Sequence, residues 1–298
     1  MPLPKNFHLV IPTGTKVLTR NGGRVGIVVH APESPEHRYR VRFADGAENS
    51  FRRGELTIFK HTEAEIPGPP DPTELYRFVI FRCVVGSTAY GLNHQTSDVD
   101  RRGFYLPPAD LHWALAGVLD QLETDDEECY WEIEKFIRLA LKANPNVLEC
   151  LYSPLVETCT PIAAELIGLR HIFLSHYIHR TYNSYVLSQF KKIEQDLRNH
   201  HEVRWKHVMH LIRLLLSGVV VLKSGFVPLR VDEHRERLLA IRRGEIPWEQ
   251  VEEWRLALHR ELDQALDSTE LPAHPDYERA NAFLLRVRRL AASPEYAQ

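Results

Sequence analysis

The sequence lacks most of the features that mark membrane, secreted and zinc-binding proteins. No stretch approaches the roughly 20 consecutive apolar residues that span a bilayer, and the first residues, MPLPKNFHLVIPTGTK, lack the charged-then-apolar pattern of a signal peptide. The four cysteines are scattered and contain no CxxC pair, so neither a disulfide framework nor a cysteine zinc site is expected. We therefore expect a cytoplasmic protein with reduced thiols and no membrane partner.

Several enzyme signatures are also missing. The patterns GxGxxG, GxxxxGK[ST], GxSxG and His-Glu-x-x-His do not occur, which argues against dinucleotide oxidoreductases, P-loop NTPases, hydrolases with a nucleophile elbow and zinc proteases. Histidine pairs spaced by three residues, such as His207 with His210, are more often structural, and no zinc site is expected. The net charge of -3 neither indicates nor excludes a nucleic-acid partner.

The remaining composition is that of an ordinary globular protein. The 298 residues, 44% hydrophobic and 26% charged, are enough for two or three compact units. The pattern predicts an α+β protein with a small β-barrel over residues 1–66, a core of strands and helices over 73–155 and a helical domain over 156–298. The proline-rich stretch at 67–72 reads as the linker.

Short β-rich runs alternate with turn residues in the first sixty residues. Asn21-Gly22-Gly23 and Asp45-Gly46 both favour tight hairpins, and Tyr39–Phe43 alternates polar and apolar residues as a half-buried strand does. Four or five strands in about 50 residues suggest an SH3-like or Tudor-like barrel. Such barrels bind peptides, RNA or a neighbouring domain, and the sequence does not choose between these.

After the linker the pattern first predicts a buried strand and then helices. The run YRFVIFRCVV at 76–85 is typical of a strand buried on both faces. From Trp131 onward the apolar spacing is helical as far as Asn144-Pro145, and amphipathic segments follow near 161–199, 203–224, 248–267 and 276–292. No strand is predicted after residue 155.

The most informative stretch is GSTAYGL at 86–92, followed by SDVDRRGF at 97–104. A strand that ends in Gly86-Ser87 and opens a short helix presents unpaired backbone N–H groups, which favour phosphate. On a strand predicted over 99–106, Asp98, Asp100 and Arg102 would share one face. Two carboxylates so placed fit Mg²⁺ or Mn²⁺ bound to the phosphates of a nucleotide.

Each of these motifs alone is weak evidence. A lone Asp-x-Asp is usually solvated and a lone Gly-Ser is usually a turn, but their ordered combination on two strands favours a site. Lys206, His210 and Arg213 share one helical face, which fits cations that reach a nucleotide and fits a solvated basic stripe equally well.

The same residues carry a resemblance. Gly-Ser followed by Asp-x-Asp resembles the nucleotidyltransferase superfamily of DNA polymerase beta. The fuller GSTAYGL and SDVDRRGF, with KFIRLALKANPNVLECLYSP and KHVMHLIRLL, resemble its bacterial and phage branch of predicted nucleotidyltransferases, some of which are associated with RNA ligases. The similarity covers roughly residues 75–245.

The resemblance implies a nucleotidyltransferase core with a mixed sheet and helices on one face. It also implies transfer of a nucleotidyl group from an NTP with Mg²⁺ or Mn²⁺ as cofactor. It implies that Asp98 and Asp100 bind the metal and that a third carboxylate follows on another strand. Counting back eight residues from the family-like Lys135 selects Glu127, whereas Glu128 and Glu132 would lie on the opposite face. The expected nucleotide-binding residues are Gly86, Ser87, Tyr90, Arg102, Lys206, His210 and Arg213.

Two functions from different classes follow. The first is a Mg²⁺-dependent nucleotidyltransferase that moves an NMP to a hydroxyl of an RNA end, a protein or a small molecule and releases pyrophosphate. The second is a non-catalytic nucleotide-binding or RNA-binding adaptor that recruits a partner such as an RNA ligase. The presence of both Asp98 and Asp100 favours the enzyme.

Overall fold

A computed structural model describes residues 10–20, 23–32, 37–59, 68–93, 98–124, 127–200, 203–293 and 296. The chain divides into two compact units, Met1–Gly68 and Pro69–Gln298. Asn21 and Gly22 of the predicted turn and residue 67, the first of the predicted linker, lie outside the described residues.

The first unit is a five-stranded antiparallel sheet. Its strands are β1 (Lys16–Thr19), β2 (Val25–His30), β3 (Tyr39–Phe43), β4 (Glu48–Phe51) and β5 (Leu56–Ile58), in the order β4-β3-β2-β1-β5. Residues alternate between buried and exposed along β3, and the predicted turn at Asp45-Gly46 joins β3 to β4. Among the described residues no ladder joins β4 to β5, so the sheet is not a closed barrel. Three polar, exposed residues of β4 offer no apolar face for closure.

The second unit contains a mixed sheet, as the sequence predicts. Its strands are β6 (Val79–Val84), β7 (Arg101–Tyr105), β8 (Gln121–Glu123), β9 (Glu128–Glu132) and β10 (Val156–Cys159), in the order β10-β6-β7-β9-β8. Among the described strands, β7 and β9 alone pair in parallel. Gly103 lets β6 and β7 approach closely, because a Cβ atom there would lie 1.9 Å from the carbonyl oxygen of Phe81.

Strand β10 corrects the prediction that no strand follows residue 155. It pairs antiparallel with β6 at the edge of the sheet, and all four of its residues are exposed. An edge strand without a buried face shows no alternation of hydrophobicity, so the sequence pattern could not reveal it.

Eleven helices surround this sheet within the described residues. They are α1 (Pro72–Leu75), α2 (Gly86–Tyr90), α3 (Ala109–Trp113), α4 (Ile133–Leu141), α5 (Pro145–Tyr152), α6 (Pro161–Gly168), α7 (Tyr177–His200), α8 (Trp205–Ser224), α9 (Arg235–Arg242), α10 (Trp248–Ser268) and α11 (Tyr277–Ala291). Asn144 caps the start of α5 with its side chain, and Pro145 fills the first position. Helix α9 is absent from the sequence prediction.

One hydrophobic core joins the sheet to the helices of the second unit. Phe104 stacks on Phe81 and packs against Phe136 of α4, and the same cluster continues into α7, α8 and α10. Helix α8 is long and apolar enough to cross a membrane by length and composition, with a mean hydropathy of 1.4, but 67% of that window is buried inside the protein. It is the central helix of this core.

Candidate active site

The turn that follows β6 brings its backbone against an acidic side chain. Gly86 begins α2 with a φ of 67°, a conformation that residues with a side chain rarely adopt. A Cβ atom at this position would lie 2.0 Å from Oδ2 of Asp100. Glycine is therefore required here on two counts, backbone conformation and space.

Asp98 and Asp100 precede β7, because the strand begins at Arg101 rather than at Val99 as predicted. The backbone of Asp100 still belongs to the sheet edge, since its carbonyl oxygen accepts a hydrogen bond of 2.9 Å from the N–H of Val85. Nη2 of Arg102 lies 3.6 Å from Oδ1 of Asp100. The positive charge of Arg102 therefore faces the Asp100 carboxylate.

Glu127 immediately precedes β9, the parallel neighbour of β7, and has a φ of 58°. Its carbonyl oxygen accepts hydrogen bonds from the backbone N–H of Arg101 and from the Arg102 side chain. The negative charge of Asp100, a hydrogen bond to that carboxyl group, burial and the charge of Asp98 together raise the pKa of Glu127. The structure thus brings the three predicted carboxylates together.

The neighbouring glutamates are engaged elsewhere. Glu128 accepts a hydrogen bond of 2.6 Å from the Tyr130 hydroxyl and faces Arg82 and Arg101, each at 3.9 Å. Glu132 is almost fully buried, caps α4 and pairs with Arg288 at 2.7 Å. Neither carboxylate therefore joins those of Asp98, Asp100 and Glu127.

These carboxylates form one wall of a cavity of about 430 Å³. The residues that line it are Gly86, Ser87, Tyr90, Leu92, Asp98, Asp100, Glu127, Gln189, Lys192, Lys206, His207, Met209, His210, Arg213 and Arg242. The opposite wall comes from α7, α8 and α9. Lys192 and Lys206 are exposed and form no ion pair with another described residue, so their charges are available to an anionic ligand. Of the predicted site residues, only Arg102 does not line the cavity.

Arg213 does not belong to a solvated basic stripe, one of the two alternatives that the sequence left open, because it is 1% exposed and its charge is compensated. Its Nη1 donates to Oε1 of Glu149 at 2.7 Å, and its guanidinium lies 3.8 Å from the centre of the Tyr90 ring. The Tyr90 hydroxyl donates to Oε2 of Glu149 at 2.5 Å, and burial raises the pKa of Tyr90 well above its usual range. We call Tyr90, Glu149 and Arg213 the buried triad; it shapes the cavity wall.

His210 also differs from the predicted cation. Burial and the nearby charges of Arg213, Lys192, His207 and Lys206 lower the pKa of His210 to about 3. Its imidazole is therefore neutral near pH 7.

Helix α9 holds the far end of α2. The Arg235 side chain donates from Nε to the Gly91 carbonyl oxygen at 2.8 Å, and Nη1 of Arg242 donates to that of Leu92 at 3.4 Å. These bonds satisfy carbonyl groups at the end of α2 that have no partner within the helix. The Gly86–Tyr90 helix is therefore anchored at the end remote from the carboxylates.

Sequence reasoning misses several of these residues: Glu149, Gln189, Lys192, Arg235 and Arg242. Glu149 lies in the segment that carries the resemblance, but its burial shows only in the fold. Gln189 and Lys192 lie three residues apart on one face of α7. That spacing is the only signal the sequence offers for them.

The carboxylates fit a hard divalent cation in the kind of donor atom they supply. Carboxylate oxygens are the donors that Mg²⁺ and Mn²⁺ prefer, and the hydrogen bond between Glu127 and Asp100 marks a point where two acidic groups meet. Within the described ranges, no three His, Cys, Asp or Glu side chains are close enough to form a complete metal centre. Binding of an ion would therefore require these carboxylates to draw closer together.

A known protein family matches the part of the chain that contains this cavity. The model of the RNA repair pathway DNA polymerase beta family matches residues 70–286, which include every residue of the cavity wall. The chain belongs to this family. The match confirms the resemblance to DNA polymerase beta-like nucleotidyltransferases. The chain is also 25% identical over 154 residues to the uncharacterized protein YcgL of Bacillus subtilis (strain 168), a match that covers 50% of this chain and 58% of that protein.

Proposed function

We propose that the protein is a Mg²⁺-dependent nucleotidyltransferase that transfers an NMP from an NTP to a hydroxyl group of RNA. The observation that carries this proposal is the division of charge in one cavity. Asp98, Asp100 and Glu127 line one side, and Lys192 and Lys206 line the other. A metal-bound triphosphate has the complementary charges.

Each wall has a separate task in this reaction. The acceptor hydroxyl forms a bond to the α-phosphorus, the bond between the α- and β-phosphates breaks, and the hydroxyl proton and pyrophosphate leave. Asp98, Asp100 and Glu127 would hold the metal, which when bound neutralises phosphate charge and promotes loss of the hydroxyl proton. Lys192 and Lys206 stabilise the charge on the departing pyrophosphate. The Gly86-Ser87 turn lets the phosphates approach the backbone closely.

The N-terminal unit gives the proposal its RNA component. We assign to its open, five-stranded sheet the recruitment of a macromolecular partner, either the acceptor RNA or an RNA ligase. The family description, which places this branch in RNA repair, supports a nucleic-acid context.

A second candidate is the non-catalytic nucleotide-binding or RNA-binding adaptor. The observation in its favour is that no group of three potential metal ligands is fully assembled among the described residues. An adaptor would bind the nucleotide on the cationic wall without turning it over.

Pyrophosphate release in the presence of each NTP, Mg²⁺ and RNA separates these candidates. The enzyme proposal expects Mg²⁺-dependent release and transfer of an α-phosphate label to RNA. Glu127→Gln should lower both by at least an order of magnitude, and Glu128→Gln, the control on the neighbouring residue, should not. Nucleotide binding without release under all these conditions would support the adaptor.

A further inference from the structure

The cavity is lined by charged residues and by neutral ones. Binding of a metal and of phosphates gives a role to the charged residues but not to the neutral ones. The carboxylates and the two lysines account for the charged groups of an NTP. What remains includes the apolar side chains of Leu92 and Met209, both nearly fully buried, and the carboxamide of Gln189. Apolar surface with a few polar groups is the usual environment of a bound heterocycle.

Gln189 is unusual among the residues of this wall. It is 7% exposed, it lines the cavity, and it forms no hydrogen bond with any other described residue. Its amide opens into the cavity and has no partner within the described protein, so a ligand with a complementary hydrogen-bonding edge gains these bonds without breaking one in the protein. Its neighbour on the same helix face, Lys192, belongs to the phosphate-binding wall.

Three other polar groups of the lining already have partners. The Tyr90 hydroxyl and the Arg213 guanidinium both bind Glu149, and Nδ1 of His207 lies 2.9 Å from Asp196. Gln189 alone on α7 therefore offers the cavity both an uncommitted donor and an uncommitted acceptor.

We propose that Gln189 reads the base of the bound nucleotide and that this base is adenine. A glutamine carboxamide can accept a hydrogen bond from the adenine amino group while it donates one to a ring nitrogen, the pairing that proteins use to recognise adenine. Leu92 and Met209 supply apolar contacts beside it. The inference rests on the proposed function, because it assumes that the cavity holds an NTP.

Equilibrium binding tests the inference without relying on catalysis. The full-length protein is titrated by calorimetry with ATP, GTP, CTP, UTP and inorganic tripolyphosphate, each with Mg²⁺. The parent protein should bind ATP about tenfold more tightly than the other NTPs, which corresponds to one good bidentate contact. Gln189→Leu should abolish this preference and leave tripolyphosphate affinity unchanged.

Two further variants control the comparison. Gln189→Met keeps the length of the side chain, adds no charge and removes both donor and acceptor, so it should also lose the ATP preference, and it replaces the leucine variant if that one does not fold. Gln195→Leu changes an exposed glutamine of the same helix that does not line the cavity, and it should retain the ATP preference.

The outcomes separate the two proposals. Tripolyphosphate binding with no ATP preference in the parent, or a preference that both Gln189 variants retain, overturns the base-reading role while nucleotide binding stands. If the parent binds neither ATP nor tripolyphosphate, the proposed function fails, and the inference fails with it.

Discussion

The buried triad yields a quantitative prediction about stability. In Glu149 and Arg213 the side chains are each 2% exposed, and the pair is joined at 2.7 Å. Nε of Arg213 already lacks a hydrogen-bond partner in the described structure, so the Glu149 carboxylate is its principal charge compensation. Replacing Glu149 by Leu would leave a buried positive charge unpaired, and we expect a loss of about 3–5 kcal/mol in the free energy of unfolding.

The double variant Glu149→Leu with Arg213→Met should recover much of this loss. It removes both charges, and replacing a whole buried ion pair in this way is often close to neutral; the remaining cost is the Tyr90 hydroxyl, which loses Glu149 as its acceptor. Glu261→Leu serves as the control because Glu261 pairs with Lys223 at 2.5 Å but both side chains are about half exposed. It should change the free energy of unfolding by less than about 1 kcal/mol.

Urea unfolding followed by tryptophan fluorescence measures these changes in the free energy of unfolding. All five tryptophans lie in Pro69–Gln298, so the signal reports on the second unit alone. The single variants should lower the urea midpoint, and the double variant should lie above both. If Glu149→Leu shifts the midpoint no more than Glu261→Leu does, the triad is not the charge-compensated element described here.

Three further predictions concern the site and the domain organisation. Asp100→Asn removes a charge but little volume, so Mg²⁺-dependent pyrophosphate release should fall by orders of magnitude while the free energy of unfolding stays within about 1 kcal/mol of the parent; an unchanged rate would contradict its assignment. His210 has a pKa of about 3 when folded and near 6.5 when unfolded, so the unfolded chain binds more protons between these values and stability falls as pH decreases through that range. His210→Gln should flatten this part of the stability profile, and an unaltered slope would show that His210 is charged in the folded state. A chain that starts at Pro70 should remain soluble and bind Mg²⁺-NTP but lose affinity for RNA, as measured by fluorescence anisotropy; an insoluble product would make the first unit part of the core.

The parts of the site that the sequence could predict are those formed by residues close together along the chain. Gly86 and Ser87 and the pair Asp98 and Asp100 are recognisable because each motif is short and its order along the chain is distinctive. Glu127 follows from its distance to a second motif, and the structure brings it to the same cavity. The mixed sheet was predictable for the same reason.

The remaining features depend on contacts between distant segments. Glu149 and Arg213 are 64 residues apart, so the sequence shows a cationic stripe where the fold has a compensated pair. Gln189 reaches the cavity because α7 packs along α8, and no periodicity identifies which polar face of an amphipathic helix will do so. The neutral state of His210 likewise arises from neighbours contributed by both helices.

The position of β6 in its sheet has a consequence for synthesis on the ribosome. This apolar strand lies between β7 and β10, and β10 is the last strand of the sheet to be made. One edge of β6 therefore stays without its native partner until Cys159 has left the exit tunnel, whereas the first sheet is complete once Ile58 has emerged. We expect the nascent chain to pass through a stage with one finished unit and one exposed apolar strand edge, where chaperones bind and premature termination leads to aggregation.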